Sequence, residues 1–144
     1  MKLTIDESGG AGAMIMVFLA TLAAFVALDA LWISLVALKV FQGAIGGIMR
    51  PVPLIVPAAI FYVIYIAGLI RLAVMPALRE RSAKSAATNG AILGLTAYAT
   101  FDLTNLTIIQ GWTPKLAAVD MAWGTAVSAI AAVAGYLVGI RKRS

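Results

Sequence analysis

The sequence has no cysteine and no histidine, and only 12% of its 144 residues are charged. Without cysteine there is no disulfide and no thiolate nucleophile. Without histidine there is no Ser-His triad, no histidine-ligated haem and no zinc site of the Cys/His kind. A metal would have to be held by oxygen ligands alone, and the composition calls for neither a metal nor a cofactor. The shortage of charge excludes still more. A soluble domain carries about 25% charged residues to wet its surface. Here 62% of residues are hydrophobic and the mean hydropathy is +1.00, so the solvent for most of the chain is lipid. The net charge of +5 fits the cytoplasmic flanks of membrane helices better than a nucleic-acid partner, and none is expected.

What is there is apolar runs. A helix needs about 20 mostly apolar residues to cross the hydrocarbon core. Four stretches qualify, from Ala13 to Leu38, Pro53 to Val74, Ala86 to Ile109 and Leu116 to Ile140. The connections carry the breakers: Gly43, Gly46, Gly47 and Pro51, then Pro76, then Gly111 and Pro114. The expected fold is therefore all-α, a bundle of four transmembrane helices forming one domain over 13–140. A polar, Gly-rich tail is expected over 1–12 and a basic tail over 141–144. The first segment is too long for the apolar part of a signal peptide. Four spans put both termini on one side, with Lys2, Arg71, Arg79, Arg81, Lys84, Arg141, Lys142 and Arg143. The other side holds Lys39, Arg50 and Lys115, so the charge bias makes the termini cytoplasmic. Arg71 is expected to snorkel, and Arg79, Arg81 and Lys84 to touch anionic headgroups of membrane lipids.

Three aspartates interrupt the apolar runs. Asp29 and Asp102 each lie sixteen residues beyond the start of their segments, and Asp120 lies four beyond the start of its own. At 1.5 Å per residue, the first two stand ~24 Å up a ~30 Å core, and the third ~6 Å down from the far side. All three therefore occupy the outer third of the bilayer, where an acid is costly and is a functional candidate by default. Their neighbours share helix faces at spacings of three and four: Asp29 with Trp32, Asp120 with Trp123, and Tyr98 with Asp102 and Asn105. Thr104 and Thr107 fall on other faces. A shared polar layer of Asp29, Asp102, Asp120, Asn105, Tyr98, Trp32 and Trp123 follows, open toward the outside, with Tyr62 and Tyr65 closing its floor. The bland alternatives are an aromatic belt of Trp32, Trp112 and Trp123, and static ion pairs to Arg50, Lys39 or Lys115.

Small residues supply the packing. Gly90 and Gly94 stand four apart, as do Ala131, Gly135 and Gly139, and Gly124, Ser128 and Ala132 on an adjacent row. Such rows let helices approach closely in lipid. The first is expected to face inward, and the last helix could use its rows within the bundle or as the seam of a homodimer.

LDALW from Leu28, YATFDLTN from Tyr98 followed by Gly111 and Trp112, and VDMAWG from Val119 resemble the signature segments of the DUF2177 family. The family comprises small bacterial membrane proteins, so the resemblance implies a multi-pass protein of the bacterial inner membrane; it brings no catalytic roles to carry over. Three functional readings remain. In the first, three acids at one level cannot all keep their charge cheaply, and the layer exchanges a proton or small cation in a transporter or channel-like protein. In the second, two carboxyls serve a lipid-binding protein or membrane enzyme, or hold Mg²⁺ or Ca²⁺. In the third, the acids are satisfied statically in a structural protein.

Overall fold

The structure, a computed structural model, describes residues 7–142, with side chains from Gly10 onward. It is all-helical, with no strand among the described residues. Helix α1 (Glu7–Trp32) runs through a π-helical turn at Ile33–Ala37 into α2 (Leu38–Ile45), ending in a 3₁₀ turn at Gly46–Ile48. Helix α3 (Ile55–Leu69) passes through a second π turn, Ile70–Val74, into α4 (Met75–Glu80). Helices α5 (Ala83–Ile108) and α6 (Pro114–Arg141) complete four rods in up-down-up-down order, which brings Gly10 and Lys142 to the same end of the bundle. Three rods are long and apolar enough to cross a membrane: Gly10–Ile48, Ile55–Glu80 and Pro114–Arg141. The fourth, α5, has 26 residues, ~39 Å of helix, but Asn89, Thr96, Thr100, Asp102, Thr104, Asn105 and Thr107 make it less apolar.

Several boundaries depart from the expected ones. Of the tail expected over 1–12, residues 1–6 lie outside the described residues, and helix is already present from Glu7. At the other end Arg141 closes α6, Lys142 caps it, and residues 143–144 lie outside the described residues. Gly43 does not break the first rod, which is helical to Ile45 because α2 packs back on the bundle through Phe41, Ala44 and Ile45. Pro76 does not break the second. The Met75 N–H bonds back five residues to the Ile70 carbonyl, so the ladder changes register just before the residue that has no N–H to give. The break comes at Arg81, which takes a left-handed conformation (φ 52°). Ser82 then caps α5 by accepting the Ser85 N–H, and Thr113 caps α6 by accepting that of Leu116.

In lipid, apolar burial does not drive helices together; close packing and interhelical hydrogen bonds do. The sequence supplies the first along α6, where both small rows are used inside the bundle. A Cβ on Gly90 would stand 2.7 Å from the Ser128 carbonyl and 2.8 Å from the Ala132 Cβ, and one on Gly94 would strike the Gly124 carbonyl. On the adjacent row, Gly135 receives Thr21 of α1, and Gly139 receives Leu78 of α4 and Val17 of α1. The rows that could have formed a seam between two copies are thus already filled within one chain.

The second rod is placed asymmetrically. Its π turn and α4 pack on α5 and α6, whereas α3 leans on α1 and barely touches α5. Small residues (Ala73, Ala77, Ala86) bring the elements together at one end, and bulky rings (Phe61, Tyr65, Tyr98, Phe101) stand between α3 and α5 at the other.

Candidate functional site: three aspartates and three tryptophans

Asp29, Asp102 and Asp120 are all buried, with 8%, 0% and 8% of their surface exposed. The α5–α6 seam accounts for two of them. Along α5 the stripe Gly90, Gly94, Tyr98, Asp102 advances by four, and along the antiparallel α6 so does Ala132, Ser128, Gly124, Asp120. Gly90 meets Ser128 and Ala132, Gly94 meets Gly124 and Ser128, and the Tyr98 ring lies flat over Gly124, where any Cβ would collide with it. The next step in that register sets the Asp102 and Asp120 carboxyls beside each other.

Asp29 joins from α1. Its Oδ2 accepts a 2.6 Å hydrogen bond from the Tyr62 hydroxyl on α3, and its Oδ1 a long one, 3.4 Å, from the Trp123 indole N–H on α6. Asp29 also lies within electrostatic reach of Asp120 and of Tyr98. Trp32 and Trp123 stack with centroids 4.7 Å apart and planes 5° from parallel. The result is a reciprocal exchange between antiparallel helices. Each carries Asp-x-x-Trp, and each tryptophan reaches toward the aspartate of the other helix, Trp123 to Asp29 and Trp32 to Asp120. The third tryptophan, Trp112, approaches Asp102. Every tryptophan in the chain therefore accompanies one of the three acids.

This is not an aromatic belt, since Trp112 is buried and the other two are half-buried against each other. Nor is it a set of ion pairs. No lysine or arginine pairs with any of the three aspartates among the described residues, and Arg50, Lys39 and Lys115 are exposed. The static salt bridges considered from the sequence are absent because those cations stand at the bundle's end and perimeter. Only part of the polar demand is met: both Asp102 oxygens and the indole nitrogens of Trp32 and Trp112 are buried without a hydrogen bond of good geometry. Native proteins leave few such groups, and each calls for an explanation.

The layer is closed where the sequence suggested it would open. Trp112, Leu116 and Ala117 form a second apolar cluster with Phe41, Ala44, Ile45, Leu106 and Ile109, which covers the acids at the α5–α6 loop end. Trp112 sits edge-on to Phe41 and to Phe101, at 5.3 and 5.5 Å. Gly111 makes this possible: its φ is +98° and a Cβ would stand 2.5 Å from the Ala44 carbonyl. The opening is lateral instead. A crevice of about 360 Å³ between α3 and α5 is lined by Phe61, Tyr65, Ala97, Tyr98, Phe101 and Asp120. Its floor is the Tyr65–Ser128 hydrogen bond, 2.6 Å, with Phe25 packed beneath at 5.1 Å from Tyr65. Tyr65 lines this lateral crevice, while Tyr62 is a direct partner of Asp29.

Of the expected residues, Asp29, Asp102, Asp120, Tyr98, Trp32 and Trp123 come together. Asn105 does not: it is half-buried one turn beyond Asp102, and its amide forms no hydrogen bond to the acids. Phe61 and Phe101 were missed as members, the sequence places Trp112 only in a belt, and it places Tyr62 at the floor and not as the partner of Asp29. For Trp112 the signal was its place after Gly111, a residue able to turn the chain back over the helix ends. Among the described residues no group of three or more acids is placed to hold one metal ion; the Mg²⁺ or Ca²⁺ alternative rests on two carboxyls, and Asp102 and Asp120 are the pair that adjoin.

Helical rods of this length and apolarity, with acids sealed inside, define an integral membrane protein. The chain belongs to the DUF2177 family, described as predicted membrane proteins, whose model matches residues 14–137 and so takes in all three acids and all three tryptophans. No curated protein and no solved structure matches it.

Proposed function

We propose that the protein is a small membrane transporter whose three-aspartate layer takes up and releases a proton or a cation. The observation that carries this reading is Asp102, fully buried, with no hydrogen bond of good geometry on either oxygen and with a second carboxyl, not a cation, beside it. An ionised carboxylate in such surroundings is expensive, and two adjoining ones more so. A site held in that condition favours exchange of charge over static pairing, because a structural acid is ordinarily satisfied by a partner of opposite charge. The tryptophans provide the means of testing it, since each stands next to a carboxyl.

In phospholipid nanodiscs, intrinsic tryptophan emission should change as the pH of the medium is titrated, and Asp102→Asn should abolish or displace that change. In proteoliposomes carrying an internal pH dye, an imposed pH gradient should dissipate faster than in protein-free vesicles, and the same substitution should remove the difference. Emission that is flat with pH, together with dissipation equal to the empty vesicles, would overturn the reading.

A further inference from the structure

The lateral crevice is separate from the mutual contacts of the acids, and its chemistry is different. Four aromatic rings, Phe61, Tyr65, Tyr98 and Phe101, and the Ala97 methyl make its walls, and a single charged side chain, Asp120, stands at its back. The rings at its rim, Phe61 and Phe101, are exposed on the flank of the bundle, part way along α3 and α5, and not at an end. The loop end is covered by the Trp112 cluster. A solute coming from water therefore meets a closed end, and one dissolved in the bilayer meets an open side.

We propose that this crevice takes an amphipathic organic cation out of the lipid, its apolar body lying between the rings and its cationic centre at Asp120. The inference rests on the reading of the acid layer as a charge-exchange site, and names the substrate class for it. Charge selects the occupant. The acid lining the crevice is Asp120, with Asp102 and Asp29 within electrostatic reach of it, and the other side chains with polar groups in the lining are Tyr65 and Tyr98. No lysine or arginine pairs with these acids among the described residues. An anionic head would be repelled. A zwitterionic lipid would carry its phosphate in beside the same carboxyls. A net cation meets both the carboxylate and the negative faces of the rings. Asp102 gives an independent indication: it is 0% exposed, has no hydrogen bond of good geometry on either oxygen and lies against Asp120, so it is a buried acceptor behind the proposed contact.

The test uses an isosteric pair of probes of opposite charge, tetraphenylphosphonium and tetraphenylborate, with the full chain in phosphatidylcholine nanodiscs. Equilibrium dialysis of labelled tetraphenylphosphonium should show saturable retention above empty nanodiscs, and tetraphenylborate should show none beyond its partition into lipid. Asp120→Asn should weaken retention by roughly tenfold or more. Ala97→Leu, which fills the crevice without touching an acid, should weaken it similarly and keeps the test decisive if the first variant misfolds. Retention equal for the two probes, or unchanged in both variants, overturns the proposal. Competitive displacement as phosphatidylethanolamine replaces phosphatidylcholine also overturns it, by assigning the crevice to a lipid amine. The wild-type pH response without any probe is a separate readout: present with no cation retention, it removes this inference and leaves the exchange site standing.

Discussion

One seam between α5 and α6 has two halves that do opposite things. From Gly90 to Gly94 it is closed: backbone lies on backbone and no side chain would fit. From Tyr98 to Asp102 it carries a tyrosine ring, two adjoining carboxyls and an adjacent crevice. The register is the same in both halves, one four-residue step after another on antiparallel helices. The comparison teaches that the glycines are not merely packing. By fixing the register over one half without freedom to slip, they bring Asp102 opposite Asp120 in the other, and hold a costly pair that would otherwise relax apart.

The most severe way to break that arrangement is a large side chain in the closed half. At Gly94 the neighbours of any Cβ are the Gly124 carbonyl and the Ser128 side chain, and a carbonyl in a helix cannot step aside. Gly94→Leu should therefore cost more than about 3 kcal/mol, at or beyond the top of the overpacking range. Unfolding in mixed detergent micelles followed by circular dichroism would register it, and a variant as stable as the wild type would refute the seam.

Gly124→Ala sharpens the same comparison at the junction of the halves. The obstacle there is the Tyr98 ring, the end of a side chain and so able to move, and the cost should fall to about 1–3 kcal/mol. The displaced ring must turn toward the crevice it lines. Retention of tetraphenylphosphonium should drop more than the stability loss alone accounts for, and unaltered retention would show that Tyr98 does not shape the crevice.

In the open half the sign should reverse. Asp102 has no hydrogen bond of good geometry to lose and a second carboxyl for a neighbour, so Asp102→Asn should leave stability unchanged or raise it by about 1–3 kcal/mol while abolishing the pH response of tryptophan emission. A clear destabilisation would mean that the carboxylate is structural. Asp29 is the contrasting acid, since it holds a 2.6 Å bond from Tyr62. Tyr62→Phe should cost about 0.6–2 kcal/mol, the range for one hydrogen bond between helices in lipid. It should also loosen α3, which leans on α1 beside this bond and barely touches α5.

Much of this was legible in the residues. Apolar runs and the breakers between them mark four rods, three of them apolar enough to span a membrane, and depth arithmetic groups Asp29, Asp102 and Asp120. Face spacing attaches Trp32 and Trp123 to their acids, and four-residue spacing identifies both small rows of α6. What was not legible depends on how separate elements meet. The glycine stripe and the Tyr98–Asp102 stripe can each be seen on α5, but that they form one seam with α6 depends on register between helices. Trp112 has belt-like chemistry until the left-handed turn at Gly111 folds it over the acids. Pro76 marks a break in any sequence, and only the rewired π turn before it shows why the helix continues. Asn105 is at the right spacing for the polar stripe, yet spacing does not supply a partner.

The mildest test lies on the splayed rod. Gly68 is in the interior of α3, and a Cβ there would meet nothing within 4 Å, in contrast to Gly90, Gly94, Gly124, Gly135 and Gly139. Glycine in a helix costs roughly 0.5–1 kcal/mol relative to alanine, through the backbone freedom it must surrender. With no clash to offset that gain, Gly68→Ala should stabilise the bundle by up to about that amount and leave probe retention as it is. Set beside Gly94→Ala, which should destabilise, it asks whether the small residues of this chain are needed for helix approach only where the two rods touch. Destabilisation at Gly68 of the same size as at Gly94 would place another surface against α3, and the flank on which the crevice opens would then be covered.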